Sequence, residues 1–299
     1  MENSFGYGKV ILFGEHFVVH GCPAIAAGIS NKAVVHAEES EKNEIITKLP
    51  VVPSMSTLAI AKIIEAMKIN KRYKVFLEGD LPTFGGLGSS AAFCVALVRY
   101  LAKIHHMNLT NEQVNRFAYA GEKAFHGNPS GIDNTMATYG GLLMFTRGET
   151  PKENQMSHLQ LYHPLNLVVG ITGHFGATTK MISNVQKFKE EDEKKFGQLL
   201  DEVKELVYQA RHALEKGKLL EIGKLMNENQ KLLEEVGVSI ELNEKLNQIA
   251  LDNGALGAKL TGGGGGGCCI ALARDLKHAK DISKAIKQSG YDSFITEVR

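Results

Sequence analysis

Pro82-Thr-Phe-Gly85-Gly86-Leu-Gly88-Ser89-Ser90-Ala91-Ala92 sits between an alternating stretch, 73–78, and a largely apolar one, 89–105. The alternation predicts a strand and the apolar run a helix buried on most sides, so the quoted segment opens a helix after a strand. Such a junction offers free backbone N–H groups and the positive end of the helix, which together hold phosphate. The glycines let the backbone come close, and Ser89 and Ser90 add hydroxyls for phosphate or Mg²⁺. No Lys-Ser/Thr follows the glycines, so this is not a Walker A loop. The G-x-S-x-G spacing of a nucleophile elbow is absent too. A plain turn with an N-cap would use the same residues.

Outward from this loop, three further segments combine glycine with chemistry-bearing side chains. Gly8-Lys9-Val-Ile-Leu-Phe-Gly14-Glu15-His16-Phe-Val-Val-His20-Gly21 places Lys9 at the start of an apolar strand and Glu15-His16 at its end. An ion pair within a turn is the alternative reading there. Glu122-Lys-Ala-Phe-His126-Gly-Asn-Pro129-Ser130-Gly131-Ile-Asp133-Asn134 puts Glu122 on a helix and Asp133 in a tight Pro/Gly turn. Carboxylates so placed can hold Mg²⁺ and accept a proton, respectively, or Asp133 can serve an Asx turn. Lys259-Leu-Thr261 leads into six consecutive glycines, 262–267, and then Cys268. That run contains G-x-G-x-x-G trivially, but a strand follows where a dinucleotide site needs a helix. Ordering six glycines is entropically costly, and apolar strands flank them, which favours a sheet edge near a ligand over a free linker.

Glycine makes up 31 of 299 residues, above the roughly 7% of ordinary proteins. Lysine plus arginine (34) nearly balances aspartate plus glutamate (33), for a formal charge of +1. That balance argues against a general nucleic-acid binder, which needs a cationic excess to release counterions. With 43% apolar and 22% charged residues the composition is that of a globular chain. The longest apolar stretches fall well short of a bilayer span, and neither a membrane nor a secretory leader is expected. Cys22, Cys94, Cys268 and Cys269 show no metal-ligand spacing and read as buried thiols of a reducing, cytoplasmic setting.

Periodicity predicts strands at 9–13, 24–29 and 33–37, then a helix at 56–67. A helix at 110–125 has Thr110 and Gln113 as a capping box, and 136–145, containing Gly140-Gly141, reads as a strand approached through a turn. The polar segment 147–163 suits a boundary, giving domains 1–155 and 156–299. Beyond it come a strand at 165–171, a long amphipathic helix at 185–215, and helices at 218–234 and 239–253. Strands at 258–261 and 268–273, a helix at 276–288 and a strand at 292–298 complete the second part. Two α+β domains are expected.

These four segments, in this order, resemble the GHMP small-molecule kinases, and the resemblance runs from about residue 6 to the end. Leu12-Phe13-Gly14-Glu15-His16-x-Val18-Val19-x-Gly21 resembles the branch that phosphorylates the 5-hydroxyl of mevalonate, a step of isoprenoid precursor synthesis. Galactokinase-like members continue Gly-Glu-His differently. The resemblance implies an N-terminal domain like ribosomal protein S5 domain 2, a ferredoxin-like C-terminal domain, and a site in the cleft between them. It implies ATP as co-substrate, with Gly85, Gly86, Leu87, Gly88, Ser89, Ser90, Ala91 and Thr179 around the nucleotide. Ser90 and Glu122 would hold Mg²⁺, Asp133 would accept or orient the hydroxyl proton, and Lys9 would lie beside it. Glu15, His16, Tyr139 and Gly262 would contact mevalonate. Mevalonate and ATP are then the partners, a homodimer is compatible, and no nucleic acid is expected. Departures from the family pattern are Gly6-Tyr7 for Ala-Pro, Phe84 for Gly, Gly263 for Ala, and Ala177 for an Arg of animal relatives.

Overall fold

A computed structural model describes residues 4–83, 85–127, 129–149, 153–176 and 178–299. In chain order the first elements are β1 (Phe5–Phe13), a 3-10 turn (Phe17–His20), β2 (Pro23–Ser40), β3 (Glu44–Ile46), α1 (Pro53–Ala66) and β4 (Arg72–Gly79). Then follow α2 (Ser89–Ile104), α3 (Asn111–His126), α4 (Ile132–Tyr139), β5 (Leu142–Thr146) and β6 (Gln155–Leu159). The remainder comprises β7 (Leu165–Phe175), α5 (Thr178–Glu191), α6 (Glu193–Glu215), α7 (Leu219–Glu235), α8 (Glu241–Asp252), β8 (Gly257–Thr261), β9 (Gly266–Ala273), α9 (Leu276–Gln288) and β10 (Asp292–Val298).

Contacts divide the chain into two compact units that interleave in sequence. The first holds Met1–Lys9, Gly28–Thr83 and Leu87–Gly140; the second holds Val10–Ala27, Phe84–Gly86 and Gly141–Arg299.

In the first unit, the second half of β2 pairs antiparallel with β4, from Ala33↔Gly79 to Ser40↔Arg72, and β3 adds in parallel on the far side of β4. Helix α2 is apolar nearly all round, as its sequence requires, and buries Ala91 through Val98. It packs on α3 and α4, while α1 packs on α3. Gly121 permits the approach of α3: a Cβ there would lie 2.6 Å from Ile63 Cδ1 and 2.9 Å from Cys94 Sγ. The capping box of Thr110 and Gln113 starts α3 as read from sequence.

In the second unit, β7, β8, β9 and β10 form an antiparallel sheet of order β10-β7-β9-β8. Numbered by occurrence, that is fourth-first-third-second, the ferredoxin-like order. Strand β8 is an edge, and α7 covers it. Asn227 Oδ1 accepts from Ala258 N at 2.9 Å, and Gln230 Oε1 accepts from Leu260 N at 2.9 Å, so side chains take the place of a fifth strand. Elsewhere in this unit the first half of β2 pairs with β5, and β5 with β6.

Four sequence expectations change. The expected turn at Gly140 and Gly141, at φ +61° and +67°, leads into β5, but the residues before it are helical, because α4 continues to Tyr139. Asp133 therefore lies in the first turn of α4, started by Gly131 at φ +88°, rather than in a free turn. The long helix at 185–215 is two helices, because Asp192 accepts from Lys195 N and caps α6. The stretches at 24–29 and 33–37 join into the single strand β2.

Candidate active site

Two sets of the sequence-derived candidates are assembled, one within each unit. In the first unit, Lys9 closes the N-terminal segment, and its backbone N–H donates to Leu87 O at 2.9 Å. Gly88, at φ +72°, makes room for it, since a Cβ there would lie 2.9 Å from Lys9 Cγ. The Lys9 ammonium reaches Asp133 Oδ1 at 3.1 Å. Lys9 is buried to 5% side-chain exposure, whereas Asp133 keeps 30%. An ion pair with one open end leaves the carboxylate accessible to a ligand.

Glu122 lies beside this pair on α3. Its Oε1 accepts from Ser90 Oγ at 2.7 Å and has His126 Nε2 at 3.2 Å, one helical turn on. Its Oε2 is buried with no hydrogen-bond partner among the described residues. Burial and the neighbouring Asp133 carboxylate push the Glu122 carboxyl up to about 8, against the lowering influence of Ser90 and Lys9. A buried carboxylate with a bare oxygen and an adjacent hydroxyl is a donor set suited to a hard divalent cation. Gly88 precedes α2 without any side-chain cap, Ser89 Oγ donates to Thr83 O at 2.9 Å, and Ala91 is buried in the first turn. Tyr139 ends α4, and burial raises its phenol.

In the second unit the glycine run forms the β8–β9 connection. Gly85, Gly86, Gly176, Thr261, Gly263, Gly264 and Gly267 line a cavity of about 100 Å³. Bare backbone is needed here: a Cβ on Gly85 would lie 2.3 Å from Cys268 Sγ, and one on Gly262 (φ +82°) 3.1 Å from Gly86 O. The loop is held at both feet. Asn243 forms a two-bond clamp on Gly266, donating to its carbonyl at 2.8 Å and accepting from its N–H at 2.9 Å. Thr261 Oγ1 accepts from Ile11 N at 2.8 Å and donates to Ile11 O at 3.1 Å.

Glu15 and His16 form a turn after β1. Gly14 at φ +89° is required, because a Cβ would lie 2.5 Å from Pro23 O, and His16 itself sits at φ +62°. Glu15 is fully buried and ion-paired with Lys259, whose ammonium also donates to Leu260 O at 2.7 Å. Burial lowers the Lys259 ammonium and Glu15 opposes that shift. Burial also pushes His16 down to about 4; a backbone hydrogen bond with Gly263 opposes this, while the charges of Lys259 and His20 add to it. The ring is therefore neutral at pH 7.

Phe84 and Ala177 lie outside the described residues, and so does the side chain of Thr179. Sequence reading assigned no role to Lys259, His126, Asn229 or Asn243. The first two stand inside the quoted segments. The asparagines lie in helices read only for amphipathicity, and a buried Asn on an apolar face was the signal to follow.

Residues 56–141 match the GHMP kinase N-terminal domain, and residues 210–292 match the GHMP kinase C-terminal region. A mevalonate kinase of Pyrococcus abyssi is 33% identical over 97% of this chain and 93% of its own length. The chain belongs to the GHMP kinase family. Among solved structures of GHMP kinases, the L. major mevalonate kinase in complex with R-mevalonate superposes with a TM-score of 0.93 at 36% identity, covering 100% of this chain and 96% of that one. The Lactococcus lactis galactokinase complexed with galactose shares the fold, with a TM-score of 0.73 at 18% identity over 98% and 92% of the two chains. No helix among the described residues is long and apolar enough to cross a membrane.

Proposed function

We propose that this chain transfers the γ-phosphoryl group of ATP to the 5-hydroxyl of mevalonate, giving 5-phosphomevalonate for isoprenoid synthesis. The observation that carries the chemistry is the Lys9–Asp133 pair, 3.1 Å apart with the carboxylate end open. Asp133 accepts or orients the proton of the attacking hydroxyl. Lys9, ion-paired with Asp133, offsets the charge of the developing alkoxide. Phosphoryl transfer asks little covalent work of a protein, so positioning and charge stabilisation of this kind supply most of the rate.

Gly85 through Ala91 and the 262–267 run supply backbone N–H groups for the phosphates, with Thr179 assigned there by family position. Ser90 and Glu122 would hold Mg²⁺, and the buried bare Oε2 of Glu122 supports that assignment. When bound, the ion neutralises phosphate charge. Glu15, His16, Tyr139 and Gly262 take the mevalonate contacts. Four free, buried thiols suit a reducing cytoplasm.

The test is turnover of mevalonate, phosphomevalonate and galactose by the purified protein with Mg²⁺ and ATP. Phosphorylation of mevalonate is expected, with the other two turned over poorly. A protein that binds ATP and mevalonate without turnover would be a silent GHMP-like binder, and absence of mevalonate phosphorylation overturns the reading.

A further inference from the structure

The turn 14–16 is held in a conformation its own sequence does not favour. His16 occupies φ +62°, where a non-glycine residue is strained by roughly 1–3 kcal/mol. Such a conformation persists only where the surroundings over-determine it. The described contacts supply three restraints, all within the second unit. Asn229, fully buried on α7, accepts from Gly14 N at 3.1 Å. Thr261 ties β8 to Ile11, three residues before Gly14, through both backbone groups. Lys259 grips Glu15, with both side chains at 0% exposure.

Lys259 is itself rigidly placed. The residues on either side of it, Ala258 and Leu260, donate their N–H groups to Asn227 and Gln230 of α7. Its ammonium has a second acceptor in Leu260 O. A sealed ion pair is a poor source of net stability, because desolvating two charges costs about as much as their attraction returns. Apolar residues of similar volume would fill the same space. What they would lack is a directed, charge-assisted bond that fixes where the Glu15 carboxylate and its backbone lie.

We propose that Lys259 is a positioning residue for the phosphorylation reaction, acting through Glu15 to fix the turn that presents Glu15 and His16 to the substrate. This rests on the mevalonate reading above. Burial does most to lower the neighbouring His16 imidazole, and the Lys259 charge adds to that lowering.

The experiment compares wild type, Lys259→Met, Glu15→Gln and the double variant, measuring kcat and both KM values. Lys259→Met is expected to raise the mevalonate KM by at least about tenfold, with kcat falling less and the ATP KM within about twofold. In the Glu15→Gln background, Lys259→Met is expected to add less than about twofold to the mevalonate KM, because its route of action is already gone. A purely structural lysine would move both KM values together or neither, and either result overturns the proposal. Effects that multiply in the double variant overturn it too. Should Lys259→Met fail to fold, Glu15→Gln and the double variant decide by the same comparison: the double variant buries no unpaired charge, and in Glu15→Gln the Lys259 ammonium keeps Leu260 O as an acceptor. A wild-type protein that does not phosphorylate mevalonate sinks the functional reading and this inference with it. An active wild type with an unaffected Lys259→Met sinks the inference alone.

Discussion

Each unit of the molecule contains one buried lysine paired with a carboxylate, and the two pairs differ in access. Lys9 and Asp133 have side-chain exposures of 5% and 30%, whereas Lys259 and Glu15 both have 0%. Asp133 sits in the first turn of a helix with one side open. Glu15 sits in a strained turn and is sealed. The same two charges therefore serve different ends. A half-open pair can exchange a proton with a ligand, while a closed one is suited to holding the shape of the turn around it.

The largest effect expected from this contrast is on catalysis. Asp133→Ala should lower kcat by at least about 10³-fold, roughly 4 kcal/mol of transition-state stabilisation, while ATP binding measured by calorimetry changes little. Retention of activity within about tenfold would put the proton-accepting role elsewhere and break the distinction. The sealed pair should answer in stability instead. Lys259→Met leaves a buried carboxylate uncompensated and is expected to cost about 3–5 kcal/mol in denaturant unfolding. Adding Glu15→Gln should recover most of that loss; a double variant as unstable as the single one would mean that packing, not charge, holds the turn.

A third carboxylate sharpens the comparison, because Glu122 is sealed like Glu15 but has no lysine of its own. Its neighbours are Ser90 Oγ and His126 Nε2, and its carboxyl is raised to about 8. A carboxyl raised on folding stabilises the native state fully below its unfolded value near 4.5, and that contribution is lost as the pH rises through about 8. His16 acts with the opposite sign: lowered from 6.5 to about 4, it costs stability as the pH falls through that range. Above pH 6.5 the Glu122 effect stands apart from it. Unfolding curves in chelator should show stability falling by a few kcal/mol from pH 6.5 to 8.5, with the slope largely removed in Glu122→Gln. An unchanged slope in that variant would show that Glu122 is already ionised, as a lysine-paired carboxylate would be.

How far the sequence reveals these centres depends on whether their signals are local. The loop from Pro82 to Ala92, the start of α2 at Ser89 and the Thr110–Gln113 cap are all signalled within a few residues. So is the Asp192 cap that divides α5 from α6, although the run of charges around it reads as one solvated helix face. The break before β5 is harder, because an apolar stretch of that length suits helix or strand equally until packing decides. Lys259 and Glu15 stand 244 positions apart, and nothing in either neighbourhood marks them as partners. The same holds for Asn229 and Gly14, separated by 215 positions. Segments that bind through their own backbone and glycines are thus legible, whereas side chains that hold such segments from another element become visible only in the fold.

The smallest effect is the control on which the comparison of the two pairs depends. Thr110→Ala removes the hydroxyl that accepts from Gln113 N at 3.3 Å and should cost about 1 kcal/mol, a drop of roughly 2–4 °C in Tm. The same helix carries Glu122 and His126 near its other end. Between them Gly121 packs against Ile63 and Cys94, and that close contact should confine the loosening to the first turn. Both KM values and kcat should therefore stay at wild-type levels while the melting curve shifts. If Thr110→Ala raised the mevalonate KM as Lys259→Met is expected to, any loss of stability would reach the substrate contacts. A raised KM would then no longer separate a pair that positions a turn from one that merely supports the fold.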